Sequence, residues 1–397
     1  MSTNIRKVYR GWFIAPIALV VILLLVSGLG TFFLLTHQSN TLVTANQVVG
    51  HAFFVSSGQL NEGNSQGNND QLEIEIQNVP NPAPGMNYYA WLLSDKGKRP
   101  ATAILLGTVS GSQGNVHFHY PGDQLHTNLI GITSQLLITE ESARSLPKYP
   151  SSDRHMWRYY AELPQKPLVG DRHGPTALDS IRALLNEDPE LHGQGIQGGL
   201  NIQFLKNTGK VLEWVFSARD SWDSRDTAFV HRQIVRTLDY LDGKDAVQSD
   251  VTSGATMLVN PLLVQVPLLT TVPNQVPDSY LHLIDGQLTS LLAAPGITPE
   301  MRELAVQSRQ ALVENVQPLL MRVRLDAKQL VNMNDAQLLQ PSALSLLDEM
   351  VALANYAFVG HLDPSTNEVQ PGVVQLFYNI QRLATYDIVT YKPNHLT

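Results

Sequence analysis

Three histidines in the first half of the chain have the residue type and spacing of a metal site. His117 and His119 flank Phe118 in a run that alternates polar and apolar residues, and His126 follows nearby. Alternate side chains of a strand point to one face, so the two imidazoles are placed to chelate a transition metal, with His126 as third ligand. The alternative is the polar outer face of a half-buried strand, which binds no metal.

A second group of possible ligands lies in the C-terminal half. His282 is close in sequence to Asp278 and Asp285, and other histidines fall on different predicted helices. Metal sites in helical bundles commonly use a Glu-x-x-His pair, and the chain has none. Solvated or core histidines are therefore the default interpretation, and a ligand site inside the helical region is the alternative.

The common signatures of catalysis are missing from the sequence. There is no cysteine and no Gly-x-Ser-x-Gly elbow, and no Ser or Thr follows the glycine-lysine pairs at Lys210 and Lys244. The glycines from Gly193 to Gly198 match a dinucleotide fingerprint by letter, but no strand precedes them. The sequence therefore indicates a protein that is not an enzyme and that needs no cofactor.

The composition limits which partners and which kinds of site the protein can have. The chain has 397 residues, a formal net charge of −8 and no basic block, which argues against nucleic acid as a partner. The absence of cysteine excludes disulfides and thiolate metal sites. About 350 residues remain beyond the first 47, enough for two domains with cores of their own.

An apolar segment near the N-terminus has the length of a membrane span. Residues 12–35 contain sixteen Leu, Ile, Val or Phe residues and would form a helix of about 36 Å, enough to cross a hydrocarbon core of about 30 Å. Arg6, Lys7 and Arg10 precede it, which places residues 1–11 in the cytoplasm. Residues 36–47 are polar and uncharged and are interpreted as a stalk. A cleaved secretion signal is the alternative, although its apolar core is usually about 7 to 15 residues.

Short alternating runs from residue 48 to 145 predict an antiparallel β-sandwich. Leu72, Ile74 and Ile76 alternate with glutamates, and further runs cover residues 88–93, 103–107, 116–120 and 129–139. Clusters of Gly, Asn, Pro and Ser separate these runs.

This β segment resembles the extracytoplasmic domain of anti-sigma-K factors. The shared features are the strand Tyr89-Ala90-Trp91-Leu92, the turn Leu106-Gly107-Thr108 and the strand end Leu137-Ile138-Thr139-Glu140-Glu141. The order of anchor, stalk and β domain also matches. In that family a cytoplasmic helical domain holds the sigma factor, whereas only about ten residues precede the membrane here. The resemblance therefore implies a fold and a location, and it does not imply that this chain sequesters a sigma factor.

The remaining chain has helical periodicity. Residues 146–175 are interpreted as a linker that packs against its neighbours, and residues 176–397 as an α-helical bundle. The predicted fold class is thus α+β multidomain, with a transmembrane helix, a β-sandwich and an all-α bundle. Many charged residues of the bundle, among them Asp239, Asp242, Arg324 and Asp326, are expected either to pair between helices or to line a polar pocket.

Together these features predict a bacterial single-pass protein of the plasma membrane, with its N-terminus in the cytoplasm as a signal anchor. Most of the chain is expected outside, where it binds or senses a protein partner at the cell envelope. The alternative is an extracytoplasmic protein that binds a metal or small ligand, either in the bundle or at His117 and His119.

Overall fold

A computed structural model describes most of the chain after residue 46. The described residues are 47–59, 61, 64–98, 101–167, 174–244, 258–271 and 276–393. The predicted membrane segment, 12–35, and nearly all of the predicted stalk, 36–47, lie outside these ranges. Val48–Thr397 is one compact unit.

Eleven strands occur in the described residues. They are β1 (Val48–Val55), β2 (Gln71–Ile76), β3 (Met86–Leu93), β4 (Ala103–Val109), β5 (Gly111–Ser112), β6 (Asn115–Tyr120), β7 (Gln135–Ser142), β8 (Trp157–Glu162), β9 (His361–Asp363), β10 (Glu368–Gln370) and β11 (Tyr386–Thr390). The predicted runs match β2, β3, β4, β6 and β7. A sheet of this size together with helices confirms the α+β class.

Nine strands form one antiparallel sheet in place of the two facing sheets of the predicted sandwich. Its order is β4-β3-β7-β8-β11-β1-β2-β6-β5. The sheet curls until it is nearly a barrel and brings β4, at one edge, close to β6 near the other. A Cβ added at Gly107 of β4 would lie 3.2 Å from the ring of Phe118 of β6. Gly107 has a φ of 147°, which an L side chain rarely adopts, so the close approach and the backbone both favour glycine there.

Two strands of the sheet come from segments beyond the predicted β domain of residues 48–145. β8 lies in the segment interpreted as a linker, and β11 lies near the end of the predicted bundle. β11 pairs with β1 on one side and with β8 on the other, so it joins the two halves of the sheet. The sheet and the helices therefore share one structural unit, and the two expected domains are not separate in the fold.

The helices of the described residues all fall within the segment 176–397 that was predicted to be helical. They are α1 (Ala177–Leu185), α2 (Pro189–Gly193), α3 (Leu200–Trp222), α4 (Thr227–Asp242), α5 (Tyr280–Ala293), α6 (Pro299–Gln310), a π-helical turn (Ala311–Val316), α7 (Gln317–Val331), α8 (Asp335–Leu338), α9 (Pro341–Val359) and α10 (Val373–Arg382). Local chemistry fixes their starts. Thr176 forms a capping box with Asp179 at α1, and Thr298 caps α6 just before Pro299.

The two faces of the sheet have different cores. The larger core joins one face, including Ala52, Ile74 and Leu92, to the helices. The opposite face carries a small, mainly aromatic cluster that includes Trp91, whose indole N–H donates to Thr139 at 2.9 Å. Alternating side chains of β3 separate these cores, which is the pattern of a strand buried on both faces.

The helix α9 is long and apolar enough to cross a membrane, a property that core helices of soluble proteins share. Ala343, Leu347, Met350, Ala354 and Ala357 form its buried stripe. This stripe packs α9 against α3 and α7, so α9 belongs to the helical layer of the unit.

Candidate functional site: a groove in the helical layer

The structure places His117 and His119 on the outer face of β6, as alternation predicts. His119 Nδ1 lies 2.8 Å from Glu73 Oε1, and His117 Nδ1 lies 3.7 Å from Glu75 Oε1. Both glutamates are the register partners of these histidines on β2. Each imidazole therefore faces a carboxylate of its own across the strand pair.

His126 lies elsewhere, in the loop between β6 and β7. Its backbone is left-handed, with a φ of 51°, and its Nδ1 lies 2.8 Å from Oδ2 of the fully buried Asp70. Ser57 Oγ approaches the same nitrogen at 3.4 Å. Because serine and aspartate both meet Nδ1, this is not the arrangement of a Ser-His-Asp triad, in which the aspartate holds one ring nitrogen and the other takes the serine proton.

The three histidines do not form the predicted shared metal site. Within the described ranges, no three His, Asp or Glu side chains converge as a metal ion would require. The physical reason is local: cross-strand glutamates hold His117 and His119 on the sheet surface, whereas Asp70 holds His126 in its loop.

The second predicted group of ligands, His282, Asp278 and Asp285, is also divided between separate contacts. His282 Nε2 lies 3.3 Å from Asp278 Oδ2, but Asp285 is engaged by Arg309, whose Nε is 2.7 Å from its Oδ1. Both pairs nevertheless lie at one feature of the surface, a groove of about 250 Å³ beside α5.

The lining of this groove is part apolar and part polar, and Thr270, Ser279 and Gln317 are among its polar members. It lies between α5 and the continuous run of the π-helical turn and α7, and its apolar lining is Leu269, Leu281, Leu312, Val313 and Met321. His282, Asp285 and Arg309 stand at its rim. The arrangement offers apolar contact area with a few charges that fix the orientation of an occupant.

An exposed apolar stripe extends from the groove along α6, the π-helical turn and α7. Its members are Val306, Val313, Met321 and Leu325, which are 49%, 42%, 36% and 54% exposed. Successive spacings of seven, eight and four residues keep them near one side of a helical run. The opposite side packs into the core through residues such as Leu320 and Val323. Sequence reasoning missed this stripe, although apolar residues on two sides of one helix were its signal.

The π-helical turn explains how this long helical run continues past a proline. Pro318 has no backbone N–H, and its ring crowds the carbonyl four residues earlier. Just ahead of Pro318 the chain widens into the turn Ala311–Val316. On the side of the turn away from the groove, Asn315 donates its amide to the carbonyl of Pro371 at 2.7 Å.

The charged residues of the helical layer mainly pair between helices. Arg324 on α7 donates to the fully buried Asp242 on α4 at 2.6 Å. Arg219 on α3 bonds Asp348 on α9. Asp239 is the exception, because burial raises its pKa to about 6 although the N–H of Leu258 donates to it at 3.1 Å. Ion pairs between helices therefore account for most of the charged residues of the helical layer. The groove lies on the surface of this layer.

No protein-family model, curated protein or solved structure matches this chain. The site assignment thus depends on the geometry of the groove and on the sequence features described above.

Proposed function

We propose that this chain is a bacterial single-pass membrane protein that binds a protein partner on the outer side of the plasma membrane. The apolar segment 12–35 and the basic residues before it support the anchor and its orientation. The resemblance of residues about 50–145 to the extracytoplasmic domain of anti-sigma-K factors supports the same location.

The groove and its apolar stripe are the single observation that carries the binding role. Val306 to Leu325 span nineteen residue steps, which correspond to about 28 Å along a helix. Apolar side chains alternate along this length with exposed polar ones such as Gln310 and Gln317, and a receptor surface of this mixed character can hold an amphipathic helix. The groove volume, about 250 Å³, is below the range of about 300 to 1,000 Å³ usual for small-ligand pockets, which favours a helix of a partner protein over a metabolite.

Charged side chains beside the groove fix the position and direction in which a partner helix can bind. Asp285 and Arg309 form a salt bridge beside the apolar walls, and His282 and Asp278 form a second pair on the same side. Rim pairs contribute little to affinity but disfavour wrongly charged partners. We therefore expect a partner helix whose apolar face is flanked by charges of both signs.

Site-specific photo-crosslinking in intact cells tests this proposal. A photo-reactive residue at Met321 is expected to trap one defined envelope protein, because the side chain lies at the groove and is partly exposed. The matched control position is Leu125, an exposed leucine on the β6–β7 loop. Adding Val313→Asp to the Met321 probe is expected to abolish the adduct without unfolding the protein, since residue 313 is 42% exposed. Equal trapping at Leu125, no adduct at Met321, or an adduct that survives Val313→Asp would contradict the proposal.

A further inference from the structure

A small hairpin beyond α9 carries an apolar pair that nothing covers within the described part of the chain. Leu362 of β9 and Val369 of β10 are cross-strand partners, so their side chains share one face of the hairpin. They are 56% and 76% exposed. His361 points to the other face, where its ring stacks on Tyr356 at 4.7 Å between centroids. The apolar pair is thus turned away from the helix that supports the hairpin.

The base of this hairpin is fixed by close backbone contacts. Gly360 has a φ of 87°, and a Cβ there would lie 2.5 Å from the carbonyl oxygen of Gln370. A Cβ at Gly372 would collide with the backbone of Gly360. The amide of Asn315 holds the neighbouring Pro371 carbonyl from the π-helical turn. These contacts hold the hairpin in one orientation, so the exposure of Leu362 and Val369 is a built feature of the fold.

The hairpin carries two carboxylates, Asp363 and Glu368, which are cross-strand partners on the face opposite to Leu362 and Val369. No Lys or Arg occurs between Lys328 and Arg382. The adjacent end of α9 adds Val359, which is 36% exposed, whereas Tyr356 lies on the other face of the hairpin beside His361. The hairpin therefore offers apolar contact on one face and carboxylates on the other, which disfavour nucleic acid and anionic headgroups.

We propose that the hairpin of residues 361–370 inserts Leu362 and Val369 into the interfacial layer of a lipid bilayer. The inference rests on the membrane anchoring proposed above. Twelve residues, 36–47, connect the apolar segment to β1, and a fully extended chain of this length reaches about 40 Å. A bilayer would therefore always be within reach of the folded unit, whereas any other occupant must diffuse to it. Because the hairpin carries Asp363 and Glu368, insertion is expected to be weaker in membranes that contain anionic lipids.

The absence of cysteine allows a direct test on the full chain. Leu362→Cys and, separately, Leu125→Cys are labelled with an environment-sensitive fluorophore and reconstituted in phosphatidylcholine vesicles. Both positions are exposed leucines, at 56% and 70%, and Leu125 lies on a loop of the sheet. The label at residue 362 is expected to shift to shorter wavelength and to be quenched by lipids brominated on their acyl chains. The label at residue 125 is expected to remain unquenched, and added phosphatidylserine is expected to weaken the quenching at residue 362.

Two outcomes would overturn this inference. One is equal quenching of the labels at residues 362 and 125. The other is a shift at residue 362 without lipid quenching, which would mean that a second copy or another protein covers the hairpin. Carbonate extraction of the same vesicles, performed after the fluorescence measurement, tests the anchor separately. Chain that is retained but unquenched disproves the hairpin contact alone, and chain that is extracted disproves the anchor.

Discussion

His51 on β1 and Asp387 on β11 face each other across an antiparallel pair, with Nδ1 3.0 Å from Oδ1. The two residues are 336 positions apart, and they join the first strand of the sheet to the last. The hydrogen bond to Asp387 is the main reason that the pKa of His51 is raised, and the nearby carboxylates of Glu300 and Glu75 act in the same direction. The seam between the two ends of the fold is therefore sensitive to pH.

Replacing His51 by glutamine should remove part of the pH dependence of stability. A raised pKa means that the folded state favours protonated His51, so the pair stabilises the fold below about pH 6.5, and this contribution is lost as pH rises through the folded pKa. Both side chains are about one-third exposed, so we expect less than about 1 kcal/mol. Urea unfolding of the wild type and of His51→Gln at pH 5.5 and 8.5 measures this contribution of the pair to the free energy of unfolding. His117→Gln, at a 74% exposed histidine, is the control that should leave the pH dependence unchanged.

Asp239→Asn should stabilise the protein at pH 8. Burial raises the pKa of Asp239 to about 6, so the folded state binds more protons than the unfolded state between about pH 4 and 6, and stability falls as pH rises across that window. Removing the charge should raise the free energy of unfolding by about 1 to 3 kcal/mol at pH 8, with little change at pH 4. Asp242→Asn is the control and should have the opposite effect on the free energy of unfolding. It should lower that free energy, because it removes the charge that pairs with Arg324. A loss of stability in Asp239→Asn at pH 8 would contradict this reasoning.

Gly199→Ala should disrupt the junction between α1 and α3. A Cβ at Gly199 would lie 2.5 Å from the carbonyl oxygen of Leu184 and 2.7 Å from the carbonyl carbon of Leu185, and both are backbone atoms that cannot move aside. We expect a loss of about 3 kcal/mol or more, as for other severe overpacking. Gly193→Ala, where a Cβ would meet nothing within 4 Å, should be nearly neutral. Thermal unfolding of the two variants compares them, and equal midpoints would refute the close packing.

Tyr386→Ala should destabilise the whole unit because β11 joins the two halves of the sheet. Tyr386 is fully buried and packs its ring 5.5 Å from that of Phe54 on β1. Loss of a buried aromatic ring costs about 3 to 5 kcal/mol. Tyr149→Ala, at a 76% exposed tyrosine, should leave the unfolding midpoint unchanged. A single cooperative transition that shifts as a whole is expected, and separate melting of sheet and helices would show two independent domains.

Much of the local structure could be predicted from the sequence. Period-two runs such as Leu72-Glu73-Ile74-Glu75-Ile76 correspond to β2, and Thr298-Pro299 marks the start of α6. These signals are local, since a strand needs one buried face and a helix needs a cap.

The connection of the sheet to the end of the chain could not be predicted in this way. β11 has only five residues, Tyr386 to Thr390, and follows a helix, so nothing local links it to β1. β8 is short and lies among prolines, which favoured a linker interpretation. For the candidate site, His117 and His119 were located correctly on a strand, but their partners Glu75 and Glu73 come from β2 and depend on the tertiary fold. The groove was missed because its apolar residues also fit a core helix.

Protease accessibility in intact cells tests the central claim most directly, namely an anchor that holds nearly the whole chain outside the cytoplasm. Full-length protein is tagged at Met1 and, separately, after Thr397. The account predicts that added protease removes the C-terminal tag and digests the folded unit while the Met1 tag is protected. Digestion of the Met1 tag with the C-terminal bulk left intact would contradict it.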